Sequence, residues 1–572
     1  MCHAGASPCS LEGCGVERQP GSPAFRLRNR RGVGWNLLGL LLLAPAGASS
    51  QASPTLPLDH PAHLVLEHLA GTGVLPAFPR GEGVRTRALV VRLLATADSV
   101  ARAGGLEGGA LRARTLRDLV ARGSRGLEEE LRQAQEGGAV VIRRPLHQGE
   151  VAVVALDSPP RGIPGNGLGS SAATVNPLGS LRQGRPLGDG TNWMASTVHL
   201  WSGGGALAAQ LHPVLRWRDR GNGGGVEIGV QQAALRLRVG ALEFRGGRDV
   251  LVREQWTARG LVLSGGPRNW DLLEVGLAEA VELPWLLGLL GPVEARAFWA
   301  HLGEEQTFEN GWLLGYRGSV RPHPRLEVGG TALFQQGGEG GPEASLGKRV
   351  LDALLIPDLL DADSDYLFSN KLVGLDFRLR LPWGPWGRGI ELFGEAALDD
   401  FDHRRIRSSF MDNGGFSGGF FLPSLDPAGR WSLAAALQRT GGSLYRHNIY
   451  RTGLTLEGRP VGTSLGPDGT GGYLRLAWFP EHPAIVTLEG AWERYRGDRY
   501  RVFGEPDFRY ERIETSPVER RIRGTATVQW MPTGSRFDLQ ARVGGERVRN
   551  RSFTVGEGET NLLVELGFVV RP

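Results

Sequence analysis

The C-terminal third of the chain repeats one pattern, in which apolar and polar residues alternate. Apolar residues hold one parity over residues 522–530 and again over 537–543, with a turn between the two segments. Successive side chains of a β-strand point to opposite faces, so each segment has one apolar and one polar face. The polar face is densely charged and many segments share the design. This combination favours a closed barrel with lipid outside and water inside over a soluble sandwich.

The connections between these segments alternate in length, which is typical of outer-membrane barrels with short periplasmic turns and long extracellular loops. The short ones are residues 321–325, 479–483 and 531–535, and the long ones are 337–370, 399–415, 440–472 and 496–518. Trp383, Trp386, Trp478 and Trp530 stand beside the short turns, where an aromatic girdle is expected. The sequence therefore predicts an all-β transmembrane barrel over residues 193–572, of roughly 16–18 antiparallel strands by analogy with typical barrels.

The N-terminus carries the features of a secretory signal. Basic residues within 26–31 precede an apolar stretch at 35–43 and a small-residue site ending at Ala48. Residues 1–48 are therefore predicted to be a cleavable signal peptide, and the long stretch before residue 26 suggests that the true start lies further downstream. The apolar stretch is too short for a membrane anchor. Cys2, Cys9 and Cys14 all precede the cut, so the exported chain is expected to contain no disulfide.

Between the signal and the barrel the hydrophobic period changes. Leucines recur at helical spacing between residues 59 and 135, and glycine pairs separate the segments. Residues 49–145 are predicted to form a periplasmic helical region, a small bundle that serves either as a plug or docking platform or as a structural cap. Residues 146–192 are predicted to be a first strand, around 151–156, followed by a connector rich in glycine, proline and asparagine.

Charge is distributed along the strands and not in a patch. The formal net charge is +5, but arginine recurs at alternating strand positions, so nucleic-acid binding is not expected. The charges predicted to face the lumen are Asp376, Arg378, Arg380, Glu391, Glu395, Arg475, Glu489, Glu493, Arg521 and Arg523. Opposite signs on neighbouring strands favour ion pairs that hold the wall together. The alternative is a path for an acidic sugar polymer, because arginine offers paired donors to carboxylates.

Two motifs resemble catalytic or metal sites but lack the context for either. Residues 462–466 match G-x-S-x-G around Ser464, yet prolines flank them in a loop, whereas a nucleophile elbow needs a strand before it and a helix after it. Asp399, Asp400, Asp402 and His403 form an acidic cluster that the arginines following it would neutralise. No catalytic residue, metal site or cofactor is therefore predicted.

Aromatic residues in the long loops are the candidates for sugar contact, since their faces stack on sugar rings. The alternative is that some belong to the outer aromatic girdle. Counting the arginines beside them, the candidate polysaccharide-binding residues are Tyr445, Arg446, His447, Tyr450, Arg451, Trp492, Tyr495 and Tyr500.

The stretch from Tyr445 through His447 and Tyr450 to Asp468 and Gly469 resembles the Tyr-x-His-x-x-Tyr … Gly-x-Asp block of the Wzi-type capsule assembly family. Residues 166–190 and 337–342, the latter followed by 370–378, are also similar to that family. One region departs from it: residues 247–267 lack the usual Trp-Gly-Pro-Gly and Ser-x-Asn-Ala stretches.

The resemblance implies an outer-membrane barrel with a periplasmic helical bundle that binds or helps assemble capsular polysaccharide as a lectin and not as an enzyme. The expected partners are capsular or exopolysaccharide, outer-membrane lipid and the barrel-insertion machinery, and a monomer is expected. The alternative function is a porin-like channel for small anionic or sugar solutes.

Overall fold

The computed structural model describes residues 51–572, apart from the short ranges 105–111, 177, 180–183, 186, 220–223, 254, 256–258, 357–367, 400–413 and 504–508. The predicted signal peptide therefore lies outside the described residues. None of the described helices is long and apolar enough to cross a membrane.

Eighteen antiparallel strands form one closed barrel, which confirms the predicted fold. Each strand pairs with the next along the chain, and β18 returns to pair with β1. The strands are β1 Ile142–Asp157, β2 Gly190–Ser202, β3 Leu207–Arg218, β4 Gly225–Val239, β5 Leu242–Asp249, β6 Trp270–Leu277 with its continuation Val281–Glu282, β7 Pro292–Gly303, β8 Gly311–His323, β9 Leu326–Gln336, β10 Asn370–Leu381, β11 Ile390–Asp399, β12 Gly414–Leu422, β13 Trp431–Thr440, β14 Gly469–Trp478, β15 Ala484–Tyr495, β16 Glu519–Trp530, β17 Phe537–Arg549 and β18 Gly558–Val570.

The first strand begins earlier than its sequence suggests. β1 pairs with β2 as far back as Ile142, so the barrel starts there and not at residue 193. The first half of β1 is polar, with Arg143, Arg144 and His147, and only from Val151 onward does the apolar alternation appear. The strand is therefore recognisable in the sequence only in its second half.

Alternation along each strand separates a lipid face from a lumen face. In β18 the outward-facing Leu562 and Leu566 are exposed, whereas Leu563 and Glu565 between them are buried inside the barrel. Apolar residues on the outside match a surrounding of hydrocarbon, and buried polar residues on the inside need partners within the lumen. The chain is thus an outer-membrane β-barrel with a filled interior.

Four helices close the end of the barrel at which the short turns lie. They are α1 Ala62–Gly71, α2 Arg87–Arg102, α3 Ala113–Gly123 and α4 Glu128–Gln135. Their apolar faces form one core with Val198 of β2, Phe479 and Met531. Glu67 of α1 also reaches into the lumen and pairs with Arg475 at 2.5 Å. Both chain ends of the barrel lie here, which identifies this end as the periplasmic one.

The long loops lie at the opposite, extracellular end, and four of them are used below: L1 (158–189), L3 (250–269), L5 (337–369) and L7 (441–468). Short elements in the connections are the paired strands Arg161–Gly162 with Thr174–Val175, Thr455–Leu456 with Arg459–Pro460 and Arg499–Phe503 with Arg509–Glu514, the helix α5 Leu346–Ala353, and the 3-10 turns Trp285–Leu290, Pro385–Gly387 and Arg551–Phe553.

Candidate functional site

L3 folds into the lumen although its sequence departs from the family pattern. The Glu395 carboxylate on β11 accepts hydrogen bonds from the backbone N–H of Gln255 and of Leu261, both at 2.8 Å. The Gln255 side chain donates to Asp376 at 2.5 Å and accepts from Arg378 at 3.1 Å. L3 is therefore an interior loop that polar residues of the wall hold in place.

The N-terminal segment meets the same wall residues from the periplasmic side. The backbone N–H groups of Arg80 and Gly81 donate to Glu327 at 2.9 Å. The Arg80 guanidinium pairs with Glu391 at 3.1 Å, and Glu391 also accepts from Arg378 at 2.8 Å. Charged side chains of the wall thus anchor what fills the lumen from both ends, through hydrogen bonds and the Arg80–Glu391 ion pair.

L1 and L7 join across the extracellular mouth. The Asn166 side chain donates to the carbonyl oxygen of Gly442 at 2.8 Å. Ser170 and His447 exchange both backbone hydrogen bonds, at 3.1 and 3.2 Å. The two segments that resemble the capsule family, at residues 166–190 and 445–469, are therefore one packed unit in three dimensions.

Tyr445 connects this unit to L3. Its hydroxyl donates to the carbonyl oxygen of Leu261 at 2.5 Å, and its backbone N–H donates to Asp399 at 2.6 Å. A Cβ on Gly462 would lie 2.2 Å from the same Leu261 oxygen, so only glycine fits at this crossing. L1, L3 and L7 thereby form a lid of three loops over the lumen.

A cavity of about 450 Å³ lies between the lid and the wall at this end. Its lining comes from L1, L3, L7, the extracellular halves of β3 and β4 and the end of β5. Five arginines line it, which we call the arginine cleft: Arg216, Arg218, Arg248, Arg268 and Arg459.

The cleft holds more donors than its carboxylates satisfy. Arg218 pairs with Glu227 at 2.6 Å, and Arg216 donates to Gln231 at 2.6 Å. The Nε atoms of Arg216 and Arg218 are buried without a hydrogen-bond partner. The two side chains as a whole are 13% and 27% exposed, so their terminal amino groups, and not the enclosed Nε atoms, are the donors that a ligand in the cavity can reach.

Arg459 and Arg268 lie on opposite loops beside the same space. Arg268 pairs with Asp271 at 3.0 Å and with Glu457. Arg459 reaches the carbonyl oxygen of Gly266 at 3.5 Å, and burial lowers the pKa of its guanidinium. A guanidinium presents planar paired donors, so the cleft is suited to a carboxylate-bearing ligand.

Four of the predicted polysaccharide contacts are buried in the lid and its base. Tyr445 is 1% exposed. Tyr450 donates to the carbonyl oxygen of Phe368 at 2.7 Å, and burial raises the pKa of its phenol to about 12. Arg446 donates to Pro164 of L1, and Tyr495 lies under the Arg161 guanidinium, 3.9 Å from its ring centre. In this structure these side chains hold loops together.

The other four predicted contacts are accessible but scattered. His447 is half-buried, and its Nδ1 accepts from the backbone N–H groups of Ile449 and Tyr450 at 3.1 Å. Arg451 is exposed on the lid. Tyr500 lies in a separate hairpin beside the lid, where its backbone N–H donates to the carbonyl oxygen of Asn166. Trp492 faces outward with the exposed Ile522 of β16, on the membrane side of the wall. Their contact with polysaccharide stays a prediction.

The charges predicted to face the lumen lie on the inside of the wall and have partners there. Arg523 pairs with Glu493 at 2.5 Å and Arg521 with Glu546 at 3.0 Å. Glu489 accepts from the Thr525 hydroxyl at 3.4 Å, and the Arg380 Nε donates to the carbonyl oxygen of Gly71 at 3.1 Å. The partners include residues of the N-terminal segment and of L3 as well as neighbouring strands.

The two motifs that resemble catalytic sites lie in loop structure. Ser464 is in an irregular part of L7, without the strand and helix that flank a nucleophile elbow. Of the acidic cluster, only Asp399 belongs to the described residues, and it holds Tyr445. Within the described part of the chain, no group of three or more His, Cys, Asp or Glu residues is placed to bind a metal ion.

The sequence pattern does not predict the arginine cleft. Its members come from β3, β5, L3 and L7, which are far apart in the sequence. The one local signal is Arg216-Trp217-Arg218, in which alternation at the end of a strand places two arginines on the inner face.

The closed eighteen-stranded wall, the periplasmic helices and the filled lumen define a plugged outer-membrane β-barrel. Residues 160–563 match the sequence profile of the capsule assembly protein Wzi. The match spans well over half of the chain, which therefore belongs to the Wzi capsule assembly family, as the resemblance in its sequence predicts.

One solved structure supports this fold, and a second is reported as a weaker likeness. The chain is similar to Wzi of Escherichia coli, described as an outer-membrane protein involved in group 1 capsule assembly and a carbohydrate-binding β-barrel. The TM-score is 0.59 at 14% identity, covering 91% of this chain and 99% of that one. OccD3 of Pseudomonas aeruginosa is 9% identical, with a TM-score of 0.41 over 76% of this chain and 93% of its own. Curated protein sequences gave no match.

Proposed function

We propose that this barrel binds capsular polysaccharide at its extracellular end and holds or assembles it at the cell surface. The observation that carries the proposal is the arginine cleft, a cavity at the extracellular end that five arginines line. Family membership supports the polymer class, because the Escherichia coli relative is described as carbohydrate-binding and involved in capsule assembly.

The ligand that best matches the cleft is a sugar unit that carries a carboxylate. The guanidinium groups of Arg459, Arg216 and Arg218 line the cavity and can donate to its oxygens, and each such charged hydrogen bond contributes about 1.5–3 kcal/mol. Glu227, Glu457 and Asn176 line the same cavity and can accept from or donate to ring hydroxyls. A chain of sugars would extend from the cleft across the lid, towards Arg451 and Tyr500.

The proposed role is binding without catalysis. Among the described residues that line the cleft, only Ser464 lies in a G-x-S-x-G motif. The described residues around it do not form the strand before and the helix after that a nucleophilic serine needs. The cleft carboxylates Glu227 and Glu457 are engaged in ion pairs with Arg218 and Arg268, which favours a positioning role for them over proton transfer.

The filled lumen supports binding over the porin-like alternative. The N-terminal segment enters from the periplasmic end and L3 from the extracellular end, and both are fixed to the same inner wall through Glu327, Glu391 and Glu395. The proposed partners are capsular or exopolysaccharide, outer-membrane lipid and the barrel-insertion machinery, and the proposed form is a monomer.

Deletion of the gene and staining for surface polysaccharide tests the assembly role. We expect capsule to be lost from the cells and recovered in the medium, and the wild-type gene to restore retention. A gene carrying Arg459→Ala and Arg216→Ala should restore the barrel in the membrane but not retention. Arg551→Ala, in the exposed loop between β17 and β18 and outside the cleft, is the matched control and should restore both.

Two results would overturn the proposal. An unchanged capsule in the deletion strain would remove the assembly role. Steady open-channel currents from the pure protein in a planar bilayer would favour the porin-like alternative.

A further inference from the structure

A short helix of L5 lies against the outside of the barrel. α5 spans Leu346–Ala353 and packs on outward-facing positions of β9 near the extracellular rim. Ala332 and Phe334 alternate with the inward-facing Thr331 and so belong to the outer face. They are 2% and 0% exposed, whereas Val328 on the same face is 38% exposed. α5 therefore takes the place of the membrane beside this part of the wall.

A buried polar group fixes α5 to the wall. The Asp352 carboxylate pairs with Lys371 at 2.8 Å and accepts hydrogen bonds from Gln336 at 2.8 Å and from Ser369 at 2.7 Å. Asp352 is 0% exposed. Because breaking a buried ion pair is costly, the helix is held firmly and has one defined face towards the barrel.

Aromatic residues mark the depth at which α5 lies. Trp312 of β8 and Trp299 of β7 meet edge to face at 6.3 Å near the extracellular ends of their strands. Outward-facing tryptophans at this height form the girdle at the membrane–water interface. The Arg349 guanidinium of α5 lies 5.4 Å from the Trp312 ring centre. The helix therefore lies at the level of the outer interface.

The face of α5 that points away from the barrel is apolar. Leu346, Val350 and Leu354 are 78%, 50% and 56% exposed. Their spacing of four residues places them on one face of the helix. That face continues the lipid-facing wall, in which Val328 below it and Leu375 of the next strand are exposed.

We propose that α5 is an interfacial anchor and that its apolar face inserts into the acyl chains of the outer leaflet. Continuity with the lipid-facing wall identifies lipid as the occupant, because the same membrane already borders that wall on either side. Interfacial helices bury their apolar face ~5–10 Å into the boundary between headgroups and acyl chains. α5 thereby ties L5 to the membrane surface, and this role is independent of polysaccharide binding.

Site-specific fluorescence quenching tests the proposal. The chain contains no cysteine after Cys14, so single cysteines can be placed in the exported protein. Val350→Cys is labelled with an environment-sensitive fluorophore, and the full barrel is inserted into phosphatidylcholine vesicles whose lipids carry a nitroxide near the headgroup end of the acyl chain. Leu566→Cys on the lipid face of β18 and Val555→Cys in the loop after β17 are the two controls; they are 56% and 79% exposed.

We expect the label at position 350 to be quenched nearly as strongly as the one at 566 and severalfold more than the one at 555. Leu346→Glu with Leu354→Glu should reduce quenching at 350 to the level of 555. Quenching at 350 equal to that at 555 in the otherwise unchanged protein would overturn the proposal. Self-quenching that grows with the ratio of protein to lipid would also overturn it, because the occupant would then be a second copy.

Discussion

Glu395 is the residue whose removal should most directly release the interior loop. Its carboxylate accepts the backbone N–H groups of Gln255 and Leu261, both at 2.8 Å. Glu395→Ala leaves both amides without this acceptor, at ~1–3 kcal/mol for each buried donor. The variant also removes the desolvation cost of burying the Glu395 carboxylate, which offsets part of this loss. We therefore expect L3 to lose about 2–4 kcal/mol of local stability.

Hydrogen exchange measures that loss directly. Because every ~1.4 kcal/mol is a factor of ten, exchange of L3 amides should accelerate by roughly 30-fold to several hundredfold. The wall strands should keep their protection, since Glu395 bonds to L3 through its side chain and to β10 and β12 through its backbone.

Glu546→Ala is the matched control. Glu546 is also a buried lumen carboxylate, but its partners Arg521 and Asn561 belong to the wall. Its loss should lower overall stability and leave exchange in L3 unchanged. If Glu395→Ala lowers overall stability while L3 amides exchange at the wild-type rate, the carboxylate does not anchor the loop and the reasoning is wrong.

Three further predictions concern the cleft, the lid and the helices. Arg459→Ala should weaken binding of a carboxylated oligosaccharide by roughly 10–100-fold in calorimetry, from ~1.5–3 kcal/mol per charged hydrogen bond, and Arg551→Ala, in the exposed loop after β17, should not. Burial raises the pKa of the Asp468 carboxyl from 3.8 to about 6, so the folded lid binds this proton more tightly than the unfolded chain. Lid stability should therefore fall as pH rises from about 4 to about 6, by on the order of 1–3 kcal/mol. Asp468→Asn should remove that slope in a proteolysis series over pH, and its φ of +56° suits asparagine. Leu94→Ala in α2, at a position with 0% exposure, should cost ~2–5 kcal/mol and make the helical signal melt before the barrel.

The wall could be predicted because strand alternation is local. In Leu375, Asp376 and Phe377, the alternation of apolar and polar side chains shows within three residues which positions lie on each face. Apolar side chains then face lipid and polar side chains face the lumen. The predicted range of roughly 16–18 strands, taken from typical barrels, includes the observed eighteen. By contrast, the first half of β1 shows no such alternation, because Arg143 occupies an exposed position and a register shift between Arg144 and Gln148 interrupts the pattern.

The site could not be predicted from local pattern. Tyr445 has the composition of a sugar-binding aromatic, yet its hydroxyl is used by Leu261, which lies 184 positions away. Nothing in the local sequence around either residue indicates that the two are in contact. The same holds for Arg459 and Arg216, which share a cavity only because L7 and β3 meet at the extracellular end.

L3 shows that a departure in sequence can leave a structural role intact. The loop lacks the stretches typical of the family, but the lumen offers carboxylates that bind any backbone N–H. Glu395 makes both of its hydrogen bonds to main-chain groups, so the identity of the loop residues at those positions is not what holds the loop.

The most direct test of the account is a titration of the purified barrel with the capsular polysaccharide of its own cell, beside the same polymer after reduction of its carboxyl groups. We expect saturable binding of the native polymer and a loss of affinity of roughly 10-fold or more on reduction, since the cleft arginines then lack charged acceptors. Equal affinity for both polymers would contradict the role of the arginine cleft. No binding of either would contradict the proposed function itself.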